Sequence, residues 1–95
     1  MTFEEAVAVW RDETKFISNV TALEEHPAMQ RIVAMGLPVI PLILEELIKH
    51  SDLLLIALYK ITGENPVPTE HAGKIHAMVA AWIAWGKDRG FVVKV

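Results

Sequence analysis

The chain has 95 residues, a net charge of −3 and no cysteine. That length suits one domain, and the missing cysteines exclude a disulfide framework, a thiolate nucleophile and a zinc ribbon. The nine Lys+Arg residues are scattered without a run, whereas a nucleic-acid backbone binder needs clustered positive charge to displace counterions, so no nucleic-acid partner is expected.

Hydrophobic residues make up 53% of the chain and the mean hydropathy is +0.33. Small domains bury a smaller fraction of their surface than large ones, so this excess points either to an alanine-padded bundle or to apolar surface shared with a partner. The acidic start MTFEEAVAVWRDE lacks the basic and apolar regions of a signal peptide. The longest apolar run, Ala77 to Trp85, is nine residues, about half of a membrane span. A cytoplasmic location without membrane contact is the expectation.

In chain order, Thr2-Phe3-Glu4-Glu5 reads as a capping box. Phe3, Val7, Trp10, Thr14 and Ile17 then fall on one face of a helix predicted over residues 3–17, and Ser18, Asn19 and Thr21 break it. His26-Pro27 opens a second, short helix, with Met29, Ile32 and Val33 as its buried stripe and Gly36 as its left-handed stop. Pro38 and Pro41 suit the first turn of a third helix, whose apolar face is Ile40, Ile43, Leu44, Leu47 and Ile48. Glu45 and Lys49 are spaced to pair on its wet side, and His50 lies at its end.

Leu53 to Leu58 is apolar nearly all round, which predicts a central buried helix ending at Ile61-Thr62-Gly63. Glu64-Asn65-Pro66-Val67-Pro68 is a stiff loop. A last helix is predicted from Thr69 or Glu70 to Gly90, with Ile75, Met78, Val79, Trp82 and Trp85 toward the core. Its other side carries Ala77, Ala80, Ala81 and Ala84, small enough for another helix to approach. The expected architecture is one all-α domain of about five helices over residues 1–95, with 91–95 as a frayed tail. That tail, Phe91-Val92-Val93-Lys94-Val95, alternates weakly, so the options are strand addition to a partner's sheet, fraying, or packing of Phe91.

The stretch Met35-Gly36-Leu37-Pro38-Val39-Ile40-Pro41-Leu42-Ile43-Leu44-Glu45-Glu46-Leu47 resembles the start of the second helix of a HEAT repeat, where a glycine closes one helix and a proline among aliphatics opens the next. The resemblance implies a HEAT-like arrangement of α-hairpins: the Pro27 and Pro38 helices form one unit, and Leu53–Gly63 with the Trp82 helix another. The order Trp10-Arg11-Asp12-Glu13-Thr14, His26-Pro27-Ala28, Gly36, Ile61 to Pro68 and Trp82 to Gly86 resembles a group of small uncharacterised bacterial helical proteins. That likeness implies no activity, and the chain departs from the group at Leu53-Leu54-Leu55, where the group tends to aromatics.

Catalytic constellations are missing from the pattern. His71 and His76 are five apart and diverge around a helix, and His26 and His50 sit at separate helix ends, so no metal or other cofactor is expected. The carboxylate pairs Glu4-Glu5, Glu24-Glu25 and Glu45-Glu46 are adjacent and also diverge. Neither Ser18 nor Ser51 lies in a nucleophile elbow. The expectation is a non-enzymatic interaction module that buries an apolar face against itself or a protein partner.

The candidate contact residues are Trp85, Ala77, Ala81 and Ala84 on the last helix, with Pro66 and Pro68 in the loop. Trp10 and Trp82 are expected to pack together and join the first and last helices, while Trp85, nearer the helix end, is expected half exposed as a surface anchor. Two alternatives stand beside this reading. One is a small-ligand or metal pocket between the second, fourth and fifth helices, near His26 and the Pro66 loop. The other is an antitoxin or immunity-type partner protein, by class analogy alone.

Overall fold

The computed structural model describes residues 1–91, and everything it describes is helix, turn or irregular chain, with no strand among the described residues. Six α-helices form among the described residues: α1 (Phe3–Thr14), α2 (Val20–Glu25), α3 (Pro27–Ala34), α4 (Ile40–Lys49), α5 (Ile56–Thr62) and α6 (Ile75–Asp88). Short 3₁₀ turns at Leu37–Val39, Leu53–Leu55 and Thr69–His71 precede α4, α5 and α6. The all-α expectation therefore holds with one helix more than the five predicted. Residues 92–95 of the expected tail lie outside the described residues.

Local chemistry explains most boundaries. The Thr2 hydroxyl accepts from the Glu5 N–H at 3.1 Å, and the Thr2 N–H donates to the Glu5 carboxylate at 2.9 Å, which completes the capping box. At the other end of α1, the Thr14 hydroxyl donates back to the Trp10 carbonyl, a competition with the backbone that weakens helices. The helix stops there, three residues before the predicted end. Asn19 then caps the extra helix α2 by accepting from the Ala22 N–H at 3.2 Å, and Leu23 is the one residue that α2 buries.

His26 is the N-cap of α3, with Pro27 at its first position. Gly36 (φ 71°) and Gly63 (φ 69°) take the backbone conformations that end α3 and α5. The predicted start of the last helix at Thr69 or Glu70 is corrected. Those residues form only a single 3₁₀ turn, and Gly73 (φ 85°) breaks the path so that α6 begins at Ile75. On α4 it is Glu46, not Glu45, that approaches Lys49, at 3.7 Å.

α1, α2 and α5 lie against α3, and α5 and α6 against α4, while the Leu53–Leu55 turn touches α4, α5 and α6. The core they enclose has Met29, Ile32, Ile43, Leu44, Leu47, Leu54, Leu58 and Trp82 completely buried, as the apolar stripes predict. A radius of gyration of 12.4 Å equals what a compact fold of about this length should have.

Candidate functional site

Ending α1 early leaves apolar side chains outside the core. Ile17, predicted on the buried face, is 40% exposed; Phe16 is 93% exposed and Val20 51%. Large apolar side chains standing together in water are the informative kind of exposure. Beside them the surface sinks into an open groove of about 780 Å³. Its apolar walls are Trp10 from α1, Leu23 from α2, Leu53 from the turn before α5, and Ile75 and Met78 from α6, with Ile17 and Val20 at the rim. A second hollow of about 430 Å³ continues from Val20, Leu53 and Met78 toward Tyr59 and Lys60, so the depression is elongated.

Polar groups frame one end of the groove: Arg11, Lys15, His50 and Asp52. Arg11 is the structural tie there. Its Nε donates to Asp52 Oδ2 at 2.9 Å and its Nη1 to Glu46 Oε1 at 2.7 Å, and Asp52 in turn accepts from the Leu54 N–H at 3.0 Å. One guanidinium thus fixes α1 to α4 and to the turn that supplies Leu53. The remaining Nη2 has no partner among the described residues but is sealed from the surface, so it offers nothing to an occupant of the groove. Trp10 is held in the wall by its Nε1, which donates to the Leu23 carbonyl at 3.1 Å.

The sequence-predicted contact residues lie elsewhere, and none of them lines the groove. Trp85 is corrected from half exposed to 9% exposed. It meets Trp82 edge-on at 5.1 Å, stacks on Phe91 at 5.6 Å, and has the Arg89 guanidinium over its ring at 5.3 Å. Its Nε1 donates to Glu64 at 3.3 Å, and Arg89 donates to both oxygens of the same carboxylate. The tryptophan that looked available as an anchor is therefore the socket of a latch. The Trp10–Trp82 pairing is also corrected: Trp82 packs with Tyr59 and Trp85, and among the described residues no aromatic pair includes Trp10.

Ala77 and Ala81 are half-buried, whereas Ala80 and Ala84 are exposed on the outer side of α6. Pro66 is half-buried and Pro68 exposed, in a loop pinned by Glu64 and by Asn65, whose side chain accepts from Tyr59 Oη and the Val67 N–H at 3.0 Å each. Neither His26 nor Pro66 lines the groove; His26 caps α3 and makes a 2.8 Å contact with Glu13. No group of three or more metal-ligating side chains comes together among the described residues. None of their helices is long and apolar enough to cross a membrane. Phe16 is the functional candidate that the sequence reading misses; its one signal is a large aromatic off the buried stripe of α1.

No family model matches the chain, nor does any curated protein or solved structure with which it was compared.

Proposed function

We propose that the protein is a non-catalytic interaction module that receives an apolar segment of a protein partner in the groove bounded by α1, α2, the Leu53 turn and α6. The observation that carries this reading is Phe16, 93% exposed beside an apolar depression whose rim residues Ile17 and Val20 are also in water. Covering one such side chain contributes about 1.5–3 kcal/mol. A volume near 780 Å³ also falls in the range of about 300–1,000 Å³ that small ligands use. A small molecule lying in the groove would leave Phe16 exposed on the rim, however, and a protein surface would not.

The HEAT-like arrangement belongs to the same proposal. Contacts between second neighbours in sequence, α1 on α3, α3 on α5 and α4 on α6, support it, beside those of α2 on α3 and α4 on α5, and stacks of helix hairpins bind partners along extended faces.

The test is photo-crosslinking with a benzophenone amino acid at position 17 or at position 84, in the host cell. Adducts from position 17 alone support the groove. Adducts from position 84 alone move the interface to the alanine side of α6, and none from either position would sink the reading.

A further inference from the structure

We propose that residues 15–25, with α2 at their centre, form a lid that swings open on a neck closed by Glu13 and His26. The rest of the fold stays intact, and the opening merges the groove and the second hollow into one apolar trough. Within the lid only Leu23 is buried, and every residue from Lys15 to Ala22 is exposed. The two ends of the stretch meet, because His26 Nε2 lies 2.8 Å from Glu13 Oε1. A surface segment with joined ends has the geometry of an Ω-loop, whose middle can leave the body without dragging the helices on either side. Asn19 caps α2 from inside the stretch, so the helix carries its own cap with it.

Few contacts hold the lid shut. The Leu23 side chain is in the core, its carbonyl accepts from Trp10 Nε1 at 3.1 Å, and Glu24 approaches Lys60 of α5 at 3.6 Å. Beside the neck, Gln30 of α3 donates to the Glu25 carbonyl at 3.0 Å. The Glu24–Lys60 pair is open to solvent and adds little, which leaves the middle of the lid with one apolar side chain and one hydrogen bond. By contrast, α4 buries Ile40, Ile43, Leu44 and Leu47. Elements with so little buried surface open at a lower free energy than the whole fold.

The lid also stands where its movement has an effect. Val20 lines both hollows, as do Leu53 and Met78 beneath it. Lifting the lid takes Ile17, Val20 and Leu23 from one hollow and Val20 and Glu24 from the other. That the motion gates docking rests on the groove being a docking surface; the motion itself does not. Phe16, Ile17 and Val20, the exposed apolar side chains beside the groove, all belong to the lid. A partner that covers them binds the two states differently and so shifts their balance.

The experiment is native-state hydrogen exchange of the purified chain, followed by NMR in low urea. Two protons report on the lid: the Leu23 amide, bonded to the Asn19 carbonyl at 3.1 Å, and the Trp10 indole N–H, whose acceptor leaves with Leu23. Both should be protected at least about tenfold less than the Leu47 and Trp82 amides, with a weaker dependence on urea. Ile43→Val, outside the lid, should speed core exchange about two- to tenfold and leave the two lid protons unchanged, since Ile43 stays packed in both states. Leu23→Ala should speed both lid protons at least about thirtyfold. A fast Leu23 amide beside an indole protected like the core would mean that α2 frays in place, and overturns the proposal. Lid exchange that follows the core in Ile43→Val overturns it too, since α2 would then open only by global unfolding. Crosslinks from position 17 without lid opening would retain the docking surface and remove the lid. Lid opening without crosslinks from positions 17 or 84 would retain the motion and remove the docking reading.

Discussion

Gly86 on α6 faces Leu44 on α4 so closely that a Cβ built on the glycine would lie 2.5 Å from Leu44 Cδ1. The glycine is in helical conformation and buried, so it is there for the close approach of two helices and not for a turn. Gly86→Ala would gain about 1 kcal/mol in helix propensity. It would also force Leu44, completely buried, out of place, and overpacking of this kind costs about 1–3 kcal/mol. The expected net result is a loss of stability in urea unfolding. Gly86→Ala combined with Leu44→Ala should recover part of the loss relative to Leu44→Ala alone, and a Gly86→Ala variant more stable than wild type would show that α4 and α6 are not in contact there.

Two buried tryptophans should answer differently to the same substitution. Trp10 donates its Nε1 to the Leu23 carbonyl, whereas the Trp82 Nε1 is buried without a partner among the described residues. Trp10→Phe removes a hydrogen bond and leaves a carbonyl unsatisfied, while Trp82→Phe removes a donor that was already costing stability. With similar volumes lost, Trp10→Phe should be the more destabilising by about 1 kcal/mol. Chemical denaturation of the two variants measures it, and an equal or reversed order would mean that the Trp10–Leu23 hydrogen bond adds nothing to stability.

His26 acts through its acceptor nitrogen: Nδ1 accepts from the Ala28 N–H at 3.0 Å, and Nε2 lies 2.8 Å from Glu13. Asparagine at this position can supply the acceptor but not the second contact. His26→Asn should therefore cost only a few tenths of a kcal/mol, and His26→Ala about 1 kcal/mol, as for loss of other N-caps. Urea unfolding of both variants is the check. Equal losses would place the value of the residue in its contact with the exposed Glu13, against the small worth of surface pairs.

How far these features could be read from the chain depends on the range of the interactions that make them. The capping box at Thr2, the Pro27 start and the glycine stops at residues 36 and 63 are decided within four residues, and the sequence shows them. The extra helix α2 buries only Leu23, so it has no periodicity to reveal. Ile17 fits the apolar spacing of α1, and nothing in that spacing shows that Thr14 ends the helix early. Trp85 is buried by Glu64, Arg89 and Phe91, of which Glu64 is 21 residues away. The groove needs four segments, from α1, α2, the Leu53 turn and α6, to meet. Spacing along one helix cannot announce a surface of that kind.

The Glu64 latch gives a pH dependence whose sign is fixed. Hydrogen bonds from Arg89, and then from the Trp85 indole, hold the Glu64 carboxyl below the ordinary glutamate range, and the same pairing raises Arg89. A carboxyl whose value is lower in the folded protein contributes stability that is fully present above its unfolded value, about 4.3. That contribution is lost as the pH falls through the lower, folded value. Acidification below about pH 4 should thus release Arg89 and change the tryptophan emission, because Trp85 loses its acceptor. Glu5 is also lowered, chiefly by the Thr2 N–H, but its acid step belongs to the cap of α1 and should appear in helical circular dichroism. Glu64→Gln should abolish the acid step in tryptophan emission while leaving the Glu5 step in place. Added salt should shrink the Glu64 step, since the pair is at the surface and screened. If the emission of Glu64→Gln followed the wild-type acid profile, the latch would not be closed by Glu64.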